Sequence, residues 1–224
     1  MIKKICLLTP IVFTCLQLSA QDDASLLTFG IKVSPAVGWM NANHNDVTSD
    51  GAAVKMGVGA IINFRLSEMF YAVSGMNYSP MGGYVSDTQS LSATDSYTNY
   101  KINYAYIAVP LAIRYRSKPI RNFRYFIEGG FNVGACANAN EVRKNTVGKE
   151  KIDIGNLTNT FRLGAQIGGG VQYAVGQRSF LFAQMTLNKA ITTSANTLYT
   201  ATGRYEERLK LFPELLEFSV GFIY

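Results

Sequence analysis

From Leu27 onward, apolar and polar side chains alternate almost one for one. A period of two belongs to strands with two unlike faces; a helix would scatter both sets around its axis. Leu27, Phe29, Ile31 and Val33 alternate with Thr28, Gly30, Lys32 and Ser34. Val54, Met56, Val58, Ala60, Ile62 and Phe64 are set against Lys55, Gly57, Gly59, Ile61, Asn63 and Arg65. In the run from Phe161 to Tyr173, Leu163, Ala165, Ile167 and Val171 face away from Arg162, Gly164, Gln166, Gly168, Gly170 and Gln172. Such runs fall at 27–39, 52–65, 70–81, 100–116, 124–136, 160–173, 180–188 and 209–224, an even set of eight. The connections alternate in length. Leu66–Met69, Ser117–Phe123 and Ala174–Ser179 are short, whereas Met40–Gly51, Gly82–Asn99, Ala137–Asn159 and Lys189–Arg208 are long and polar. An antiparallel meander with turns on one side and loops on the other produces that alternation. The expected fold is therefore all-β, an eight-stranded antiparallel up-and-down barrel in one domain.

Periodicity leaves open which face points outward. A soluble barrel buries the apolar set around a ligand, and a membrane barrel turns it to lipid. Composition favours lipid. Only 16% of the 224 residues are charged while 48% are hydrophobic, against roughly 25% charged in soluble domains. The polar face is rich in glycine, which suits a narrow lumen. Aromatic residues gather near strand ends, Phe29, Tyr71, Tyr115, Tyr125, Tyr173 and Phe222 toward one rim and Trp39, Tyr78, Tyr104 and Phe161 toward the other, as interfacial girdles require. The chain closes on Phe218, Val220, Phe222 and Tyr224, a strand of the kind that barrel-assembly machinery reads. No apolar stretch reaches the roughly 18–20 residues of a spanning helix, so a bilayer crossing must use strands.

Residues 1–20 read as a cleaved export signal, leaving residues 21–224 as the barrel domain. Lys3 and Lys4 precede the apolar Ile5–Leu18 segment, and Ser19-Ala20 offers a small-residue cleavage site. Pro10 argues against a buried N-terminal helix, and bulky Thr14 argues against acylation of Cys15. Cleavage removes two of the 21 basic residues and none of the 15 acidic ones, a balance too mild for nucleic acid. It also removes Cys6 and Cys15, leaving Cys136 without an intramolecular disulfide partner.

Several segments together resemble the PorT-like outer-membrane β-barrel family of Bacteroidota. They are Phe29-Gly30-Ile31-Lys32-Val33-Ser34-Pro35 with Trp39 and Ser49-Asp50-Gly51, Tyr71–Met76 with Gly82-Gly83, Tyr106–Leu111, and Gly164–Gly170 with Val171-Gln172-Tyr173. Ala108 departs from the pattern, since an acidic residue commonly stands there in that family. The resemblance implies an eight-stranded barrel in the cell outer membrane, with short periplasmic turns and long extracellular loops, and carries no shared activity.

Chemistry is sparse. Lys32, Lys55, Arg65, Arg114, Arg116 and Arg162 share the polar face with Glu128 and Glu217. Enclosed charges cost several kcal/mol unless paired, so salt bridges are expected across the lumen. A turn near Pro119–Arg121 sets Arg114 opposite Glu128, and closure of the last strand on the first brings Glu217 toward Lys32. Such pairs plug a small barrel; a narrow passive channel is the competing reading. His44, beside Asn43, Asp46 and Ser49, is the one candidate base, in a loop whose polar residues are equally explained by solubility. One histidine, one cysteine and scattered acids match no metal spacing, and Gly168-Gly169-Gly170 lies in a strand rather than a phosphate-binding turn. Neither enzyme activity nor a cofactor is expected. Expected partners are outer-membrane lipid, the barrel-assembly machinery through the C-terminal strand, and an envelope protein through loop segments 87–100 and 140–153. An accessory role in protein secretion is a further alternative.

Overall fold

The computed structural model describes residues 26–42, 47–87, 99–144, 149–155, 158–194, 198–199, 205–206 and 211–224. The expected signal at 1–20 and His44 lie outside them. The strands are β1 (Leu27–Ala42), β2 (Val47–Arg65), β3 (Phe70–Asp87), β4 (Asn99–Arg116), β5 (Phe123–Lys144), β6 (Lys149–Asp153), β7 (Phe161–Ala174), β8 (Phe180–Ala190), β9 (Leu198–Tyr199), β10 (Tyr205–Glu206) and β11 (Leu211–Ile223). Eight of them, in the order β4-β3-β2-β1-β11-β8-β7-β5, form one antiparallel sheet that closes through the pairing of β4 with β5. Phe29 and Tyr224 exchange backbone hydrogen bonds of 2.9 and 2.7 Å where the last strand meets the first. Closure leaves no barrel edge unpaired, which hydrocarbon demands.

The faces are sorted as a membrane barrel sorts them. Ile31, Val33, Val54, Met56, Val58, Ile107, Val109, Leu111, Ile113, Ile127, Phe131 and Val220 are exposed. Ser34, Asn63, Arg114, Glu128, Asn132, Gln184, Thr186, Asn188, Glu217 and Ser219 are buried. Along β8 the alternation is complete, with Phe182, Gln184, Thr186 and Asn188 enclosed and Leu181, Met185 and Leu187 outside.

The structure departs from the sequence expectation in two respects. Tyr71 and Tyr104, expected in the aromatic girdles, face the interior and are 7% and 1% exposed. Their positions share parity with Val73 and Tyr106, and parity rather than residue type sets the face of a strand residue. The strands also outrun the expected boundaries. β2 begins at Val47, β3 continues to Asp87, and β5 continues to Lys144 and pairs with β6. Beyond the lipid, ladder hydrogen bonds need no apolar side chain, so polar segments that read as loop extend the wall. About 9–11 tilted residues span the bilayer, whereas β5 has 22.

Candidate functional site

The enclosed face is where ion pairs are expected across the lumen, and the short turn between β4 and β5 sets its register. Pairing places Arg114 directly opposite Glu128. The guanidinium donates from Nε and Nη2 to Glu128 Oε2 at 2.9 and 2.6 Å, and both side chains are almost wholly enclosed. Gln184 from β8 donates to Glu128 Oε1 and, at 2.8 Å, to Thr186 Oγ1. Arg114 also reaches Asn63 Oδ1 at 3.4 Å and packs over Phe126, 4.3 Å from the ring centroid. Four strands thus meet across the lumen in one polar layer.

Closure of β11 on β1 pairs Ala36, not Lys32, with Glu217. Lys32 nonetheless extends along the barrel axis, and its Nζ lies 3.9 Å from Glu217 Oε2. Glu217 Oε2 also accepts a 3.1 Å hydrogen bond from Asn188, whose Oδ1 accepts one of 2.6 Å from Asn132. Ser34 and Ser219 join β1 to β11 at 2.8 Å.

Arg162 departs from the expected ion pairing. It is 1% exposed, yet the contact that holds it is a 3.0 Å hydrogen bond from Nη1 to neutral Asn132 Oδ1, with the Tyr106 ring 5.8 Å away. Among the described residues, Nε and Nη2 meet no acceptor. Lys55 donates to the amide oxygen of Asn103. Amides and aromatic faces therefore do work that the sequence assigned to carboxylates.

The neutral members of this network, Gln184, Thr186, Asn188, Asn132 and Asn63, are not among the groups that the charge pattern of the sequence marks. The signal was present in β8, where Gln184, Thr186 and Asn188 alternate with Ala183, Met185 and Leu187. Two apolar clusters cap the polar layers. Phe126, Phe182, Ile61, Val73, Ala112 and Ile223 fill the section nearer the short turns, and Met40, Met81, Ile102, Tyr104, Tyr106 and Leu215 fill the section nearer the loops.

Outside the barrel, Glu214 accepts hydrogen bonds from Trp39 Nε1 at 3.0 Å and Asn41 Nδ2 at 2.8 Å, and lies 3.1 Å from Lys189 Nζ. Cys136 is half-buried, with its thiol 3.5 Å from the Asn138 carbonyl. Among the described residues, no group of three or more His, Cys, Asp or Glu side chains could hold a metal ion.

The model of the outer membrane protein beta-barrel domain family matches residues 19–195. No curated protein matches the chain in sequence. Among solved structures, the outer membrane protein OprG of Pseudomonas aeruginosa is 8% identical with a TM-score of 0.50, over 88% of this chain and 94% of that one. Neisserial surface protein A is 12% identical with a TM-score of 0.44, over 87% and 95%. The outer membrane protease OmpT of Escherichia coli is 10% identical with a TM-score of 0.49, over 88% and 96%. At these identities the likeness concerns fold alone.

Proposed function

Because the chain belongs to the outer membrane protein beta-barrel domain family, and its lumen is crossed by bonded side chains, we propose that it is a packed structural or interaction barrel with neither transport nor catalytic activity. The observation that carries this reading is the layer in which Arg114, Glu128 and Gln184 span the interior, with Phe126 and Phe182 packed beside it. Small barrels of eight strands have interiors about filled by side chains, and a solute would have to break a buried, charge-assisted network to pass.

The partners follow from the surfaces. Outer-membrane lipid covers the apolar belt. The barrel-assembly machinery takes β11, whose exposed Phe218, Val220 and Phe222 alternate with enclosed residues. The wall carried past the belt by β3, β4, β5 and β6 offers a surface for an envelope protein. The order of the Phe29–Pro35, Tyr71–Met76, Tyr106–Leu111 and Gly164–Tyr173 motifs supports placing the chain with PorT-like barrels of Bacteroidota, and residues 1–20 support export by a cleaved signal.

Reconstitution into planar bilayers tests the packed lumen. The expected result is no steady single-channel current under conditions where a porin control conducts. Steady unitary currents that disappear on heat denaturation would establish a channel instead.

A further inference from the structure

The short-turn end of the barrel, periplasmic in proteins of this architecture, opens into a cup of about 380 Å³. Inward of it only a void of about 20 Å³ remains, touching Arg114 and Ile223, and the apolar cluster of Phe126, Phe182 and Ile223 fills the same section of the barrel. Arg65, Arg116, Lys118, Arg124 and Arg178 line the cup, with Glu68 the one acidic residue among the described residues that do so.

Three of these cations are held by neutral partners, as Lys55 and Arg162 are elsewhere in the lumen, but these three share one cup. Arg116 lies over the Tyr71 ring, 4.1 Å from its centroid, and donates to the Tyr71 hydroxyl. Arg124 sits 5.1 Å from the centroid of Phe180. Arg65 donates from Nε to the Ser67 carbonyl at 3.4 Å. Each of these partners is neutral, and among the described residues no ion pair joins Arg65, Arg116 or Arg124 to a carboxylate. Arg116 also feels the charges of Arg124 and Arg65, and Arg124 that of Arg65. All three are partly buried, so water and salt screen their repulsion less than on an open surface. Deeper in the same barrel Arg114 has Glu128 at 2.6 Å, so the fold supplies a carboxylate to one arginine and withholds it from these three. Aromatic faces and a carbonyl orient the guanidinium groups while leaving their charge for an incoming anion.

We infer that this cup binds a phosphate monoester, borne either by a soluble molecule or by a lipid headgroup such as that of phosphatidic acid at the membrane edge. A carboxylate has two oxygens and one charge, too few for three converging guanidinium groups and Lys118. A phosphate monoester brings three acceptor oxygens and a charge of about −1.5 to −2, and the planar forks of arginine match that geometry in pairs of parallel hydrogen bonds. The closed floor makes this a binding site, separate from any question of passage.

The test uses the complete protein isolated from membranes in octyl glucoside, a detergent without phosphate. Titration calorimetry with glycerol phosphate, with acetate as the carboxylate control, reads the soluble source. Native mass spectrometry after passage through phosphatidic acid nanodiscs, with phosphatidylglycerol nanodiscs as the phosphodiester control, reads the lipid source. Saturable glycerol phosphate binding that weakens at least tenfold in the Arg65→Gln/Arg124→Gln variant supports the site and a soluble ligand. Retained phosphatidic acid that is lost in the same variant supports the site and a lipid ligand. Heat-modifiable gel mobility checks that the variant folds. Should it not fold, Lys118→Gln on the exposed rim takes its place, with at least threefold weaker binding expected. Absence of binding in both arms, binding that the folded variant keeps unchanged, or acetate binding as tightly as glycerol phosphate overturns the inference.

Discussion

Arg114 and Glu128 occupy opposed positions on neighbouring strands, both nearly excluded from solvent. Removing one member strands the other in a medium where an uncompensated charge is costly. Arg114→Met is therefore expected to lower unfolding free energy by about 3–5 kcal/mol, measured by denaturant titration in detergent. The double variant Arg114→Met/Glu128→Leu is expected to lose less than the sum of the single variants, because it leaves no lone ion. A strictly additive cycle would mean that the two groups do not stabilise each other. Gln184 shares the carboxylate, so Gln184→Leu belongs to the same network and couples to both.

Among the strands, glycines mark where walls approach too closely for a side chain. Gly75 in β3 has φ +148°, and a Cβ there would lie 2.0 Å from the Ala60 carbonyl oxygen on β2. Gly129 in β5 is a useful contrast, since the nearest atom to a Cβ there is Gln166 O at 3.9 Å. Gly75→Ala is expected to cost about 1–3 kcal/mol and Gly129→Ala less than about 0.5 kcal/mol, read from the same denaturant midpoints. Equal effects would remove the steric argument. The bulge that skips Ala137, where Ala105 pairs with Asn138 and Tyr106 with Cys136, switches the enclosed positions of β5 from even to odd. Asn132 and Gly134 are enclosed below it, Ala139 and Glu141 above it. An extra residue in one strand reverses its faces, which pattern counting across 124–144 does not reveal.

At the scale of the whole molecule, the direction of the apolar face is the property on which location depends. Leu111 lies near the middle of the belt and is 54% exposed. Leu111→Arg is expected to destabilise the barrel in vesicles by about 2–4 kcal/mol, measured by folding titration into lipid. The same variant in a barrel that turned its apolar face inward would fail to fold even in detergent. Much of this architecture was legible in the chain. The alternation of Val54–Phe64 and Phe161–Tyr173 named the strands, and the short segment 117–123 set Arg114 against Glu128 by counting alone. Lys32 was harder to place, because its contact with Glu217 runs along the axis between residues that are not paired. Tyr71 and Tyr104 were misplaced because an aromatic ring serves equally in a girdle and in a plug. The sequence by itself determined the period of two, the number of barrel strands and the side on which turns are short, since these depend on neighbours along the chain. Only the tertiary structure decided which groups converge inside. Arg65 ends β2, Arg116 ends β4 and Arg124 is the second residue of β5, and they share one cup because closing a sheet brings distant residues to a common axis that no local pattern encodes.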